Sequence, residues 1–331
     1  MNLHALVISP PKWENHVFPP QVLEKIHRSV NCPWPVLNPD EWRTAGVALR
    51  EAEVIIGTWG MPALDEEFLA AAPVLKAVFY AAGSVKGLVT DACWDRDMVV
   101  SSAWVANGVP VAEYSLATIL LSLKRFWHFS RRMKTEVTDQ GEFMIPGNYH
   151  STVGLVSLGA VGRSVARLLQ PFDLMLLAYD PFLSEELAAE LHVNLVSLEE
   201  LFQKCDVISL HAPWIRETER MITGELISSM KEGATLINTS RGAVIAENEM
   251  INVLRHRPDL SAVLDVTYPE PAAADSPLRS LPNVVLTPHI AGSMQGECAR
   301  MGDCMADELR RFVTGEPLRY RVTPAMLAKM A

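Results

Sequence analysis

Five cysteines in 331 residues, with no CxxC spacing among them, are too few and too scattered for a disulfide scaffold or a zinc ribbon. They are Cys32, Cys93, Cys205, Cys298 and Cys304, an odd number that suits reduced thiols, so a cytoplasmic chain is expected. Long apolar runs are missing too. The nearest, 114–123, falls short of the roughly 20 residues of a membrane span and is followed by Lys124 and Arg125. The first nine residues lack a basic leader and read as a first strand. HExxH, HxH and Cys–His clusters are absent, so no catalytic metal is expected. Basic residues are outnumbered, 29 Lys and Arg against 39 Asp and Glu, for a net charge of -10. Their densest stretch, Lys124, Arg125, Arg131, Arg132 and Lys134, reads as the solvated end of a helix. That argues against nucleic acid as a partner. A chain this acidic that takes an anionic ligand must place a cation inside the site.

What is present is an alternation of short apolar strands and helical patterns. Strand candidates fall at 6–8, 54–57, 75–80 and 99–101, with helices at 20–30 and 65–71 between them. A long apolar helix follows, with Pro110 in its first turn. Residues 134–150 read as a loop. A second block then offers six strands, at 153–158, 174–179, 207–210, 235–238, 260–265 and 284–287, separated by helical crossovers. The fold class expected is α/β, with two doubly wound parallel sheets. A last helix, 293–313, stops at Gly315.

The sequence Thr152-Val153-Gly154-Leu155-Val156-Ser157-Leu158-Gly159-Ala160-Val161-Gly162 runs from a strand through a small-residue turn into a helix. Such a turn lets the backbone approach a diphosphate, and the helix N-terminus offers it free N–H groups. Ser157 stands where the dinucleotide fingerprint has its first glycine. A serine can serve there if its φ is negative. Asp180 ends the next strand, where an acid hydrogen-bonds ribose hydroxyls and repels a 2′-phosphate, so the cofactor expected is NAD. As a bare residue before Pro181, Asp180 also suits a turn cap.

Further motifs follow in order: Cys205-Asp206-Val207-Ile208-Ser209-Leu210-His211-Ala212-Pro213 with Glu217-Thr218, then Ile237-Asn238-Thr239-Ser240-Arg241-Gly242, then Asp265 and Glu270, then Pro288-His289-Ile290-Ala291-Gly292. Over nearly its whole length the chain resembles the D-isomer-specific 2-hydroxyacid dehydrogenases. The resemblance implies a Rossmann NAD-binding domain, 107–289, inserted in a flavodoxin-like substrate domain, 1–106 plus 290–331. It implies a small 2-oxo or 2-hydroxy acid as substrate, closure of the two domains on it, and a homodimer formed through the NAD-binding domain.

The chemistry of such a reaction assigns the residues. Oxidising a 2-hydroxy acid needs a base, and histidine titrates near neutrality, so His289 takes that part. Glu270 would hold its other ring nitrogen and fix the tautomer. Arg241 would clamp the carboxylate. The resemblance adds Ala160, Val161, His211, Ala212, Pro213, Thr218, Thr239, Ser240, Asp265 and Gly292 to Ser157, Gly159, Gly162 and Asp180 as residues facing the cofactor. Arg241 and His289 border it as well. Asp265 in particular would face the nicotinamide carboxamide. On the substrate side it implies the turn Ala82-Gly83-Ser84, with Trp59 and Trp104 as candidate pocket walls. A dinucleotide-sensing scaffold, like the corepressors that resemble these enzymes, would carry the same residues. Formate dehydrogenase, also similar, pairs its histidine with glutamine, against Glu270 here.

Overall fold

In the computed structural model of the chain, residues 3–134 and 145–330 are described; most of the loop expected at 134–150 therefore lies outside the described residues. Four short strands come first: β1 (Ala5–Ile8), β2 (Val54–Gly57), β3 (Ala77–Tyr80) and β4 (Val99–Ser102). Seven follow: β5 (Ser151–Val156), β6 (Leu174–Tyr179), β7 (Asn194–Leu195), β8 (Val207–Leu210), β9 (Thr235–Asn238), β10 (Ser261–Leu264) and β11 (Val284–Leu286). A short β12 (Arg321–Val322) comes near the end. They form two compact units, Met1–Gly108 with Ser293–Met330, and Val109–Gly292.

The first unit holds a sheet ordered β1-β2-β3-β4-β12. Its first four strands are parallel. Beyond β1, the segment 31–37 pairs in parallel only at His4 with Asn31 and at Ile8 with Leu37. Counting it, the parallel order runs second, first, third, fourth, fifth, the flavodoxin-like arrangement. The sheet is mixed, not purely parallel as expected, because β12 pairs with β4 antiparallel. Two-residue strands carry no periodicity, so neither β12 nor β7 is visible in the sequence.

Both faces of this sheet are covered, which is why its strands read as continuous apolar runs. Side chains alternate between two cores. Ala5, Val7, Ile56 and Phe79 pack with Met301, Met305 and Leu309 of the helix Ala299–Thr314. Leu6, Ile8, Ile55 and Val78 face the opposite way, with Phe68 and Leu69. Glu308, 1 % exposed, accepts from Ser101 Oγ at 3.0 Å and from the backbone N–H of Arg319 and Tyr320 at 3.1 and 2.9 Å. A buried carboxylate with three donors ties the helix Ala299–Thr314 to β4 and to the approach to β12.

The second unit holds an all-parallel sheet ordered β11-β10-β9-β8-β5-β6-β7. Counted from β5, this is the 3-2-1-4-5-6 Rossmann order with a seventh strand added. Its order reverses between β5 and β8, so loops leaving these two strands flank the crevice where dinucleotides bind in such sheets.

One helix boundary differs from expectation. The helix spans Trp104–Leu123, so Pro110 lies inside it and not in its first turn. Proline in a helix interior forfeits a hydrogen bond, a cost of about 3 kcal/mol. Burial on either side of it, at Ala106 and Ala112, outweighs the local rule.

Candidate active site

The loops leaving the C-terminal ends of the second sheet carry every residue of the expected catalytic set. Asn238 ends β9 fully buried. Its Oδ1 accepts from Ser240 N at 3.0 Å and Ser240 Oγ at 2.8 Å, and its Nδ2 donates to the Arg241 carbonyl at 2.9 Å. This side chain builds the turn that presents Arg241. Gly242 then lies against the Thr267 backbone, where a Cβ would come within 2.0 Å of the Thr267 carbonyl carbon. Thr239 Oγ1 meets Ser115 Oγ at 3.1 Å. Arg241 Nη1 donates to the Ser240 carbonyl at 2.6 Å. Burial pulls the Arg241 guanidinium below its usual value, and the neighbouring charge of Glu270 opposes that pull.

Asp265, at the end of β10, is 2 % exposed. Its Oδ1 accepts from Thr287 Oγ1 at 2.6 Å and Ile290 N at 2.9 Å, and its Oδ2 accepts from Ala291 N at 2.9 Å. Its carbonyl accepts from His289 N at 3.0 Å. Tyr114 OH, in turn, lies 3.1 Å from Thr287 Oγ1. His289 sits within this frame at φ 54, a left-handed conformation that non-glycine residues rarely adopt. Four bonds to Asp265 and its neighbours hold it there. Asp265 thus orders the histidine turn, a part not foreseen beside its expected contact to the nicotinamide.

The His289 ring meets Glu270 through Nδ1 and Oε1 at 2.5 Å. Nε2 is left without a partner among the described residues. Both side chains are partly exposed, 48 % for His289 and 38 % for Glu270. They border a cavity of about 600 Å³ with Thr267, Arg279 and Thr287. Arg279, which sequence reasoning did not single out, holds the cavity wall through the carbonyls of Ala272 and Ala273.

In the turn after β5 the condition of a negative φ at Ser157 is not met: its φ is +73. Two bonds impose this. Ser157 N donates to the Tyr179 carbonyl at 2.8 Å, and Leu158 N donates to Asp180 Oδ2 at 2.7 Å. The chain must reverse between them, at a cost of about 1–2 kcal/mol for a residue with a side chain. Gly162 allows the helix Ala160–Leu169 to lie on this turn, since a Cβ there would sit 2.2 Å from the Ser157 carbonyl oxygen. At Gly159, the helix N-cap, a Cβ would meet nothing within 4 Å. Ala160 and Val161 form the helix's first turn. Asp180 also accepts from Phe182 N at 2.9 Å, so it serves as a turn cap here; each of its oxygens retains a lone pair for a ribose hydroxyl.

His211 follows β8, and its backbone N–H bonds the Val156 carbonyl at 2.9 Å. Both ring nitrogens are buried without a hydrogen-bond partner in the described structure. Burial pushes the imidazole down to about 4, so it is neutral at physiological pH. Ala212 and Pro213 continue the loop, and Thr218 closes it by donating to the Pro213 carbonyl at 2.5 Å. Gly292 closes the turn after Ala291. A dinucleotide fits these residues: an open approach at Gly159, an acid at Asp180, and an orphaned polar ring at the sheet's switch point. Among the described residues, no group of His, Cys, Asp and Glu could hold a metal ion.

In the first unit, the turn after β3 is held by Ser102 Oγ, which donates to the carbonyls of Ala82 at 3.0 Å and Gly83 at 2.5 Å. The N–H groups of Gly83 and Ser84 have no hydrogen bond among the described residues, so they are available to an anion. Asn107, not singled out in the sequence, accepts from Ser293 N at 3.2 Å, and its Nδ2 would be 3.0 Å from a Cβ at Gly83. Trp59 packs on Trp13 with ring centroids 4.9 Å apart. Trp104 faces Tyr320 at 6.4 Å and lines an apolar cavity with Met326 and Met330. Its indole N–H is buried without a hydrogen-bond partner among the described residues.

Residues 116–291 match the family described as D-isomer specific 2-hydroxyacid dehydrogenase, NAD binding domain. The (S)-sulfolactate dehydrogenase of Chromohalobacter salexigens is 34% identical over 75% of this chain and 81% of its own length. The D-3-phosphoglycerate dehydrogenase of Archaeoglobus fulgidus is 32% identical over 78% of this chain and 49% of its own length. The chain thus spans about half the length of the phosphoglycerate relatives it matches. A solved phosphoglycerate oxidoreductase from Rhizobium etli shares the fold, with a TM-score of 0.80, 23% identity, and coverage of 99% of this chain and 100% of that one.

Proposed function

The chain belongs to the D-isomer specific 2-hydroxyacid dehydrogenase family, and from that membership we propose that it is an NAD-dependent oxidoreductase of a small D-2-hydroxy acid and its 2-oxo acid. The observation that carries the proposal is the 2.5 Å contact of His289 Nδ1 with Glu270 Oε1, made where Arg241 lies close enough for its charge and that of Glu270 to interact.

When bound, NADH supplies hydride to C2 of the 2-oxo acid. Glu270 keeps the Nδ1 proton of His289 in place, so Nε2 is the nitrogen that exchanges a proton with the substrate. In reduction, Nε2–H gives its proton to the C2 oxygen; in oxidation, Nε2 takes it back. The Arg241 guanidinium offers parallel donors to the substrate carboxylate, and burial strengthens that interaction. Within the first unit, the N–H groups of Gly83 and Ser84, which have no hydrogen bond among the described residues, are proposed as donors to an anion, with Trp59 as a neighbouring apolar wall. Glu270, where formate dehydrogenase has glutamine, favours 2-hydroxy acid chemistry.

A homodimer through the second unit is supported by the helix Phe126–Arg132. Phe126 on it is 44 % exposed, while Trp127 packs partly against the core of the second unit. The five free cysteines suit a reducing compartment, the cytoplasm. No helix among the described residues is long and apolar enough to cross a membrane.

A screen of NADH oxidation over glyoxylate, pyruvate, hydroxypyruvate, phenylpyruvate and branched 2-oxo acids tests the activity. Turnover of at least one is expected. Tight NADH binding with no turnover of any would overturn the enzymatic reading in favour of a sensing scaffold.

A further inference from the structure

We propose that Arg163 contacts the diphosphate of the dinucleotide and supplies the positive charge that the Ser157–Gly162 turn otherwise lacks. This rests on the dinucleotide reading of that turn. Arg163 lies one turn into the helix Ala160–Leu169. Its backbone N–H donates to the Gly159 carbonyl at 3.0 Å, and its side-chain Nε donates to the same oxygen at 3.2 Å. The side chain therefore folds back towards the helix N-terminus, the direction in which helical side chains lean. The fork of the guanidinium is held at the first turn, and both terminal nitrogens have no partner among the described residues.

Open space lies beside it, since a Cβ at Gly159 would meet nothing within 4 Å. The backbone N–H of His211 bonds the carbonyl of Val156, the residue before the turn, and both His211 ring nitrogens are buried without a hydrogen-bond partner among the described residues. A buried polar group with no protein partner points to ligand oxygen there.

Charge makes the same demand. A diphosphate brings two negative charges close to Asp180, whose carboxylate is already 2.7 Å from Leu158 N. The helix terminus offers only about half a positive charge. The chain as a whole carries -10. Arg167, one turn further on, faces Glu190 at 3.6 Å. Arg163 has no such acid among the described residues, and its planar fork matches phosphate oxygens.

Calorimetric titration of the full chain, wild type against Arg163→Gln and Arg163→Lys, would test this with NADH, ADP-ribose, NADPH and adenosine. Arg163→Gln should weaken NADH and ADP-ribose about 10- to 100-fold and leave adenosine unchanged, with Arg163→Lys in between. Its salt dependence for ADP-ribose should be shallower than that of the wild type. Unchanged ADP-ribose affinity overturns the proposal. So does an equal loss for adenosine, which marks a structural role, or a loss confined to NADPH, which moves Arg163 to the 2′-phosphate. A wild type that binds neither NADH nor ADP-ribose instead refutes the dinucleotide reading itself.

Discussion

Two glycines three residues apart should fail in opposite ways when given one methyl group. At Gly162 the added Cβ would stand 2.2 Å from the Ser157 carbonyl oxygen. An ordinary contact is roughly 1 Å longer, and the obstacle is backbone, so the helix must lift off the turn. Overpacking of this kind costs about 1–3 kcal/mol. For a unit of this size that lowers the melting temperature by about 3–10 °C. At Gly159 the methyl meets nothing within 4 Å, and the backbone, at φ -67 and ψ -157, suits alanine. Gly159→Ala loses only a modest N-cap preference, up to about 1 kcal/mol. Its methyl, however, occupies the approach of the diphosphate. Melting curves with and without NADH separate the two effects. At a hundredfold excess over Kd, NADH should stabilise the wild type by about 2.7 kcal/mol. Gly159→Ala should melt near the wild type without NADH and lose the NADH-induced rise. Gly162→Ala should melt lower from the outset. A Gly162→Ala protein as stable as wild type, or a Gly159→Ala protein with the full rise, would refute the reasoning.

His289→Ala should lower kcat by at least 10²-fold and leave NADH affinity within a few-fold of wild type; a collapse of NADH affinity measured by fluorescence would make the residue a cofactor contact. Asp265→Asn turns one of the two acceptor oxygens into an NH2 donor, so either the bonds from Thr287 and Ile290 or the bond from Ala291 must break. It should cost about 2 kcal/mol in urea unfolding and depress kcat more than it changes KM; unaltered kcat would remove Asp265 from the ordering of His289. His211 is buried neutral, with its ring pushed from 6.5 to about 4, so protonation favours the unfolded chain. Its stabilising part is complete above pH 6.5 and is lost as pH falls towards 4, about 3 kcal/mol in all. His211→Gln should flatten the stability curve over that window, and an unchanged slope would show that another group governs it.

The parallel sheets were legible because both of their faces are buried. Continuous apolar runs such as 54–57 and 207–210 mark fully covered strands, and the small-residue turn at 157–162 marks the crossover between β5 and its helix. The trio proposed as catalytic was legible as chemistry, each residue following a strand. What holds those residues was not. Asn238 reads as one more motif letter until its side chain closes the turn under Arg241. Tyr114 reads as part of an apolar run until its hydroxyl reaches Thr287. Asn107, Glu308 and β12 depend on partners distant in the chain, which no local pattern encodes. Ser157 was misjudged because two bonds to the β6 end, and not its own preference, set its φ. Pro110 was misplaced for a similar reason: packing of the helix overrides the proline rule.

The Glu308 tether and the antiparallel β12 also bear on how the chain is made. Strands β1 to β4 leave the ribosome before Val109–Gly292, yet the helix that covers one of their faces and the strand that closes their edge leave after it. The whole of Val109–Gly292 is synthesised in between and is continuous, so it can fold while the earlier strands wait. The first unit is thus begun before the second and finished after it, with an apolar face and an open edge presented to the cell meanwhile. A nascent chain halted before Glu308 would carry a complete second unit beside an unfinished sheet, and would be the species for chaperones to hold.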